Sequence, residues 1–349
     1  MKLNWRAVLG IALSGAFFWW VLRDVSPSEV WANARAADPV LLLISVTCAT
    51  LVFPIRARRW RTILSPIENN IPFGPLWRST AIGMMVNNVV PARVGEIARA
   101  YALTRERPSI AFSASFASLA VDRVFDAVIV MLLLLFALLD PAFPSEKTAI
   151  GQKVANTLGI GTLFAGALLA LLYLLVFLPE RIISLYEWFA RRLAPKLEAR
   201  GRDALLAFAA GLGVLRSPRR FAEVFWWALV HWLVMAFSFW TGFKAFGIDV
   251  SYQAALLVQG VIVVGVAIPQ APGFFGVFEA AAKWTLVGVY GVDTGRAVSW
   301  AITYHFLTFI PITAIGGYYF VRLGMHFRDL TAQTDTSAAT AALGPSSGT

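Results

Sequence analysis

The sequence predicts an all-α membrane protein that crosses the bilayer several times. Of its 349 residues 58% are hydrophobic and only 14% are charged, whereas soluble domains are nearer half apolar and a quarter charged. The mean hydropathy is +0.68. Apolar runs such as 128–139 and 159–178 are long enough, as helices, to cross much or all of a hydrocarbon core about 30 Å thick. A transmembrane β-barrel would instead show short segments of alternating hydrophobicity.

Six apolar stretches predict full spans. They lie at about 7–22, 40–55, 112–139, 157–178, 221–246 and 298–321. The first follows Lys2 and Arg6, as in a signal peptide, but no small-residue cleavage site comes after it, so we expect it to be retained. Two further apolar stretches, about 75–90 and 252–290, are interrupted by Pro, Gly and polar residues.

Basic residues in the connections predict the orientation of the spans, because cytoplasmic loops are enriched in Lys and Arg. The block "RARRWR" (56–61) and the segment 180–220 are strongly basic, which indicates the cytoplasmic side. The connections 23–39 and 140–156 carry acidic residues as well, which indicates the outside. Basic residues next to the first and last spans place both termini in the cytoplasm.

This orientation constrains the two interrupted stretches. The region 75–108 has to enter and return on the cytoplasmic side or lie at the surface there, and 252–290 has to begin and end outside. The apolar part of the first is about 15 residues, or about 22 Å of helix, which is too short to cross comfortably. We therefore predict two re-entrant helical hairpins, the second broken at "PQAPGFFG" (269–276).

The predicted transmembrane domain, residues 1–328, then divides into two halves at about 5–139 and 157–322. Each half has three spans and one hairpin, and an odd number of spans inverts the second half, as in many transporters. Eight ordinary spans, two of them short and kinked, are the alternative. The segment 180–220 suits a cytoplasmic amphipathic helix on an anionic surface or a solvated basic linker. Residues 329–349 are predicted to be a disordered tail.

Polar residues at membrane depth indicate function, because an unpaired ionisable group there is costly. The stretch "NNVVPARVGEIARA" (87–100) contains Asn88, Arg93, Glu96 and Arg99. Glu96 and Arg99 are three residues apart and can pair on one helix face. Arg93 is then left to bind a phosphate with two parallel hydrogen bonds. The alternative is that Arg93 and Arg99 extend to the cytoplasmic interface.

A second charged group begins the long apolar helix at 112–139. Asp122 and Asp126 share a face, and Arg123 is placed to pair with Asp126. This pattern suggests a buried ion-pair network or a proton-titrating site, with a static salt bridge as the alternative.

A third group follows the break at 269–276. Gly273 and Gly276 allow the backbone to bend and approach a ligand closely, and Glu279 follows. Lys283, one helical turn further on, makes a plain Glu–Lys pair the alternative. His305, in the last span, is predicted to be a core histidine that can face the same interior.

Other function classes lack sequence support. The net charge of +10 comes from short basic blocks next to spans, which favours a membrane surface over nucleic acid. Cys48 is the only cysteine and the three histidines are far apart in sequence, so neither an intrachain disulfide nor a metal site is predicted. We found no nucleotide-binding loop and no serine nucleophile motif. We therefore expect no cofactor, no catalytic residue and no enzyme, with an intramembrane glycosyl transferase acting on a polyprenyl carrier as the alternative.

Four blocks resemble those of a known family. In order they are "RARRWRTIL", "GMMVNNVVPARVGEIARAYAL", "SFASLAVDRVFDAV" and "PQAPGFFGVFEAA". They resemble blocks of the flippase-like integral membrane family, typified by the membrane region of bacterial lysylphosphatidylglycerol synthases. The resemblance covers about 5–322. Full-length synthases carry an aminoacyl-transferase domain after this region, and in its place this chain has a short low-complexity tail. We therefore expect a stand-alone member that does not make the lysyl lipid.

The resemblance implies a flippase that moves an anionic or otherwise modified lipid between the leaflets of the bacterial cytoplasmic membrane. Its partner would be a lipid with a phosphate headgroup, and a homo-oligomer is left open. The matching positions are Arg59, Asn88, Pro91, Arg93, Gly95, Glu96 and Arg99 in the first motif, Arg123 and Asp126 in the second, and Pro272, Gly273, Gly276 and Glu279 in the third. We assign substrate binding to Asn88, Arg93, Glu96, Arg99, Arg123, Asp126, Gly273 and Glu279. The alternative functions are an intramembrane enzyme or an accessory protein of envelope biogenesis.

Overall fold

A computed structural model describes residues 5–90, 94–143, 178–193, 198, 201–202, 217–266 and 271–327. These residues form helices joined by short connections. The helices are α1 Trp5–Leu22, α2 Pro27–Ala36, α3 Pro39–Leu64, α4 Phe73–Val89, α5 Gly95–Glu106, α6 Phe112–Ala137, α7 Pro179–Leu193, α8 Pro218–Ala245, α9 Tyr252–Gly265, α10 Val277–Gly288 and α11 Thr294–Arg322. A short 3₁₀ turn, Pro272–Phe274, precedes α10. The all-helical class is confirmed for the described residues.

Five of the six predicted spans correspond to α1, α3, α6, α8 and α11. Three of these, α3, α8 and α11, have 26, 28 and 29 residues and are long and apolar enough to cross a membrane. Helix α6 is equally long but carries the charged residues of "VDRVFDAV" in its middle. Helix α7 coincides with the first part of the predicted amphipathic segment. The span predicted at 157–178 lies outside the described residues apart from Leu178, and the tail at 329–349 lies wholly outside them.

Helix α3 corrects one sequence prediction. It begins at Pro39, where the side chain of Asp38 accepts hydrogen bonds from the backbone N–H groups of Val40 and Leu41 at 2.8 and 3.0 Å. The block "RARRWR" was predicted to be a cytoplasmic loop, but it forms the last turns of this helix. The helix continues because Arg56 and Arg59 are buried on one face and have partners there.

Helices α4 and α5 form an antiparallel pair. Arg78 bonds Glu106 near the open end, and the Oδ1 atom of Asn87 accepts from the backbone N–H of Gly95 at 2.9 Å near the turn. The two helices approach closely at Gly83 of α4. A Cβ atom added there would lie 2.7 Å from the carbonyl oxygen of Gly95 at the start of α5. The helices have 17 and 12 residues, about 26 and 18 Å at 1.5 Å per residue. A helix of 17 residues is at the lower limit of a spanning helix, and one of 12 residues is below it.

Helices α9 and α10 form a second pair of short helices, with 14 and 12 residues. They pack on each other, and a Cβ atom on Gly265 would lie 3.2 Å from the side chain of Val277. The 3₁₀ turn between them contains Gly273 at a φ of 69°, and Gly276 at a φ of 86° precedes α10. These left-handed conformations favour glycine. The predicted break at 269–276 is thus a real interruption of the helix.

Contacts between the segments that connect the helices show which helix termini lie together. They define two ends of the described structure. At the first end, Arg107 and Ser109 bond Glu68, and Arg58 pairs with Glu223 at 2.7 Å. This end therefore brings together the C-terminus of α3, both outer ends of the α4–α5 pair and the N-terminus of α8.

The second end contains the N-terminus of α3 and the C-terminus of α8. The backbone N–H of Asp38 donates to the carbonyl of Ala245 at 2.9 Å, and Arg296 donates to the carbonyl of Gly247 at 3.1 Å. Ser251, the N-cap of α9, bonds Asp140 just after α6. The α4–α5 pair thus opens at the first end, and the α9–α10 pair opens at the second.

Small residues allow close helix contacts in the interior. A Cβ atom on Gly316 of α11 would lie 2.3 Å from the carbonyl oxygen of Ala81 on α4, whereas one on Gly317 would meet nothing within 4 Å. The 3₁₀ turn Pro272–Phe274 also contacts α4. Helix α4 therefore packs against elements of the second predicted half as well as against α3 and α5.

Candidate functional site

A buried network of charged side chains lies where α3, α5, α6 and α8 meet. Its centre is Arg59, whose side chain is fully buried. The Nη2 atom of Arg59 lies 2.5 Å from Asp122 Oδ1, and its Nη1 atom donates to Asp126 Oδ1 at 2.8 Å. The indole N–H of Trp232 also donates to Asp126 Oδ1, at 3.0 Å. Buried ions at such depth require partners of this kind.

Helix α5 contributes a second buried arginine to the network. The Nη1 atom of Arg99 donates to Asp122 Oδ2 at 3.3 Å, and the guanidinium lies 4.1 Å from the ring centre of Trp60. The predicted Glu96–Arg99 pair is therefore wrong. Spacing on one helix does not decide the partner here, because Arg99 bonds Asp122 on the neighbouring helix.

The more accessible part of the network is built around Arg123, whose side chain is 40% exposed. Arg123 pairs with Glu96 across the α5–α6 contact and with Asp126 Oδ2 at 3.3 Å on its own helix. The latter pair confirms the predicted three-residue spacing. The side chain of Asn87 donates to Glu96 Oε2 at 3.5 Å, which links the pair to the turn of the α4–α5 hairpin.

The network has more positive than negative groups. Among the described residues it contains four arginines, Arg56, Arg59, Arg99 and Arg123, and three acids, Glu96, Asp122 and Asp126. Arg56 is the least engaged, since its Nη2 atom is 3.9 Å from Asp122 and 4.0 Å from Asp126.

Several donors of these arginines are buried without an acceptor in the described part of the chain. They are Nε of Arg56, Nε of Arg59, and both Nε and Nη2 of Arg99. A cleft lined by Arg56, Arg99 and Arg123 holds about 10 Å³, enough for about one water molecule. The arrangement can therefore accept an additional anion only if its side chains move apart.

A second buried cluster surrounds Glu279, which is 1% exposed. Its Oε1 atom lies 2.6 Å from Nδ1 of His305, and its Oε2 atom accepts from the backbone N–H of Gly276 at 2.7 Å. The imidazole stacks on the ring of Phe275 and lies against the tilted ring of Phe278, with ring centres 4.5 and 4.4 Å away. His305 thus faces the same interior as Glu279, as the sequence suggested.

Lys283 does not form the alternative pair with Glu279. Its Nζ atom donates to Asp24 Oδ2 at 2.6 Å and to the carbonyl oxygens of Trp20 and Val21 at 3.3 Å each. This hydrogen bond lowers the pKa of Asp24, which lies in the connection after α1. Lys283 therefore ties α10 to the end of α1.

The structure brings together half of the residues to which substrate binding was assigned. Glu96, Arg99, Arg123 and Asp126 are members of one network. Asn88 is turned away from it and donates to Thr313 on α11 at 2.7 Å.

The remaining assigned residues lie elsewhere in the chain. Gly273 and Glu279 belong to the second hairpin, where a Cβ atom on Gly273 would lie 2.9 Å from the ring of Phe309. Arg93 lies outside the described residues. In the described ranges, no three His, Cys, Asp or Glu side chains are grouped as metal ligands would be.

Sequence reasoning missed Arg56 and Trp232. Arg56 and Arg59 are three residues apart on α3, and that spacing, together with the apolar residues around them, was the available signal. Nothing in the sequence pairs Trp232 with Asp126, because 106 residues separate them.

Comparison with known proteins gives matches over most of the chain. Residues 7–316 match the model of the "Lysylphosphatidylglycerol synthase TM region" family. A "UPF0104 membrane protein" of Pyrococcus horikoshii is 24% identical over 335 residues, which is 91% of this chain and 96% of that protein. Another of the same name, from Methanothermobacter thermautotrophicus, is 24% identical over 84% of this chain and 88% of its own length.

One further relative is similar over a short segment only. "Glycosyltransferase AglD" of Haloferax volcanii is 37% identical over 102 residues, which is 29% of this chain and 16% of that protein. These three relatives are archaeal proteins.

Proposed function

Because the chain belongs to the family of the lysylphosphatidylglycerol synthase transmembrane region, we propose that it moves an anionic or modified lipid between the leaflets of the membrane. The cargo carries a phosphate, which the interior arginines bind during passage. The protein itself makes no covalent change in the cargo. With no nucleotide-binding motif found in the sequence, movement is downhill or coupled to an ion.

The observation that carries this proposal is the surplus of arginine in the buried network. Four guanidinium groups face three carboxylates, and donors of Arg56 and Arg99 have no acceptor among the described residues. Keeping an excess positive charge inside a membrane protein is costly, and such residues mark binding or transport pathways. A guanidinium binds a phosphate through two parallel hydrogen bonds.

The arrangement of the hairpins supports the same function. One short helix pair opens at the first end and the other at the second end, and the turn of the second pair contacts α4 of the first. Two inverted halves whose broken helices meet in the interior would allow access to alternate between the leaflets. In this proposal both pairs are re-entrant hairpins, and Glu96, Asp126 and Glu279 balance charge or carry protons during exchange.

The first end is cytoplasmic in this proposal, and so are both chain termini. Arg58, Arg61, Arg219 and Arg220 line a cavity at this end in which Glu223 is the one acidic lining residue. Such an excess of arginine is typical of the cytoplasmic side. We propose the bacterial cytoplasmic membrane as the location, as the resemblance implied.

A transport assay with a selective variant tests the proposal. Purified protein is reconstituted into vesicles that contain a fluorescent phosphatidylglycerol, and a membrane-impermeant quencher reports the outer-leaflet fraction over time. Wild type is expected to accelerate exchange. Arg56→Gln removes the surplus charge but leaves Arg59 between its two acids, so the protein should fold and lose at least about tenfold in rate.

Arg322→Gln is the matched control, because Arg322 is exposed at the end of α11. It should exchange lipid at the wild-type rate. The proposal would be overturned if vesicles with wild-type protein exchanged phosphatidylglycerol no faster than empty vesicles. It would also be overturned if the Arg56→Gln protein exchanged the lipid as fast as wild type.

A second candidate is glycosyl transfer to a lipid-linked acceptor, favoured by the segment similar to "Glycosyltransferase AglD". Here Asp122 or Asp126 would serve as the base. Formation of a glycosylated lipid by the purified protein in detergent, where no leaflets exist, would favour this activity over transport.

A further inference from the structure

A cavity of about 600 Å³ lies at the first end, between the C-terminal turns of α3 and the N-terminus of α8. Four arginines line it: Arg58 and Arg61 from α3, and Arg219 and Arg220 from α8. Its volume falls in the range of small-molecule sites. It is far larger than the cleft of about 10 Å³ at the buried network.

The cavity and the buried network use opposite faces of the same helix. Successive residues of an α-helix are rotated by about 100°. Arg59 and Arg61 are therefore about 200° apart, so that Arg59 reaches Asp122 and Asp126 while Arg61 reaches the cavity. The two sites share α3 but have no arginine in common.

The charges of the cavity are poorly balanced. Glu223 is the one acid among its lining residues, and it already pairs with Arg58 at 2.7 Å and accepts from Thr62 at 3.0 Å. In the part of the chain that the structure describes, the guanidinium groups of Arg61, Arg219 and Arg220 have no carboxylate partner. Four arginines against one glutamate leave three positive charges uncompensated.

The helix end adds to this imbalance. Helix α8 begins here with Ser217 as its N-cap, and its first turn has no acidic residue. The N-terminus of a helix carries a partial positive charge that favours anions and disfavours arginine. Arg219 and Arg220 lie in this first turn, where a bound anion would be stabilised by both their charges and the helix end.

We propose that this cavity is a second anion site that binds a compound with two or more phosphate charges. Guanidinium groups from two helices contact its phosphate oxygens, and the positive end of α8 adds to the attraction. The site lies at the surface of the membrane, so the phosphates belong either to a lipid headgroup or to a soluble compound. This inference is independent of the proposed lipid transport, because it concerns binding at a different face of α3.

Calorimetry on the full chain in phosphatidylcholine nanodiscs tests the proposal. The probes are inorganic phosphate and inorganic pyrophosphate. Pyrophosphate is expected to bind more tightly than phosphate, and its affinity should fall as salt is raised. The double variant Arg61→Gln/Arg219→Gln should weaken pyrophosphate binding by at least about tenfold, because two charge-assisted contacts are lost.

The matched control is Arg35→Gln/Arg322→Gln, which removes the same charge from positions outside both sites. It should bind pyrophosphate within about twofold of wild type, since distant surface charges are screened. The proposed site would be overturned if wild type did not bind pyrophosphate, or if both double variants lost the same amount of pyrophosphate affinity. Equal melting temperatures of the variants show that the comparison is between folded proteins.

Two further arms identify the source of the phosphate and separate this site from the interior network. If nanodiscs that contain phosphatidic acid abolish pyrophosphate binding, the site takes a lipid headgroup. If binding persists in them, the ligand is soluble. The transport variant Arg56→Gln should bind pyrophosphate like wild type, and its failure to do so would contradict two separate sites.

Discussion

At the scale of single residues, Arg59 holds the buried network together. It is fully enclosed and bridges two carboxylates that would otherwise lie close together without a counter-charge. Its pairing with Asp122 and Asp126 explains why a run of four arginines in six residues is tolerated on a helix of a membrane protein. Because of these interactions Arg59 has a structural role, so a substitution there would not be a suitable test of ligand binding.

Replacement of Arg59 should therefore destabilise the protein. Arg59→Ala leaves Asp122 and Asp126 buried without their main partner, which typically costs about 3–5 kcal/mol. We expect a strongly lowered melting temperature of the purified protein in detergent. Arg61→Ala, two residues further on and facing the cavity, should melt close to wild type. Equal losses in the two variants would contradict the burial of Arg59.

The pair between Lys283 and Asp24 predicts a pH dependence. The hydrogen bond from Lys283 lowers the pKa of Asp24 in the folded protein. A carboxyl whose folded pKa is depressed contributes stability above its unfolded pKa of about 3.9 and loses it as the pH falls through the folded value.

Unfolding of wild type and Asp24→Asn can be compared across pH. The difference in their free energies of unfolding should be constant above about pH 5 and should disappear as the pH falls below about 4. A difference that persists undiminished at pH 3 would show that Asp24 acts through packing instead of charge.

At the scale of elements, close helix contacts depend on individual glycines. Gly316 and Gly317 are adjacent on α11, but only Gly316 faces α4. Gly316→Ala would force a methyl group to within 2.3 Å of the Ala81 carbonyl and separate the helices. Overpacking of this kind costs about 1–3 kcal/mol.

The neighbouring position provides the control for this prediction. Gly317→Ala adds the same methyl group where nothing lies within 4 Å, and alanine is the better helix former. Its melting temperature should equal or exceed that of wild type, while that of Gly316→Ala should fall. If the two variants melt together, α11 and α4 are not in close contact.

The element boundaries show what the sequence could predict. Long apolar runs located α1, α3, α6, α8 and α11, because the bilayer imposes length and composition on a span. The sequence did not predict that α3 continues to Leu64, since a basic run is normally a loop. Helix α3 continues because Arg56 and Arg59 find acids on α6, and those long-range partners are not visible in a local pattern.

The sequence predicted residues of the candidate site but not most of their partners. Charges inside apolar runs singled out Glu96, Arg99, Arg123 and Asp126, and the structure places them in one network. Their partners were predictable only where they lie on one helix, as Arg123 and Asp126 do. Glu279 bonds His305 and Lys283 bonds Asp24, and these pairs depend on how separate helices pack.

At the scale of the whole molecule, the two ends predict sidedness. Asn69 is exposed at the first end, and Asp249 has a side chain that is 91% exposed at the second. Cys48 is the only native cysteine. Single cysteines introduced into a Cys48→Ala background can therefore report each end separately.

A membrane-impermeant maleimide should label Asp249→Cys in intact cells. It should label Asn69→Cys only after the cells are permeabilised, because basic residues retain the first end in the cytoplasm. The reverse pattern would invert the proposed orientation. Labelling of both in intact cells would contradict a chain that separates two sides of a membrane.

The pairing of Arg123 with Glu96 has a further consequence for how a bound anion would leave. The cleft holds only about 10 Å³, so in the proposed transport an entering phosphate would have to displace the Glu96 carboxylate from that arginine. The displaced carboxylate stays on α5 and competes to return. The Glu96 carboxylate thus acts as a competing ligand for Arg123 within the protein itself. Such competition would make phosphate binding weak and phosphate exchange rapid.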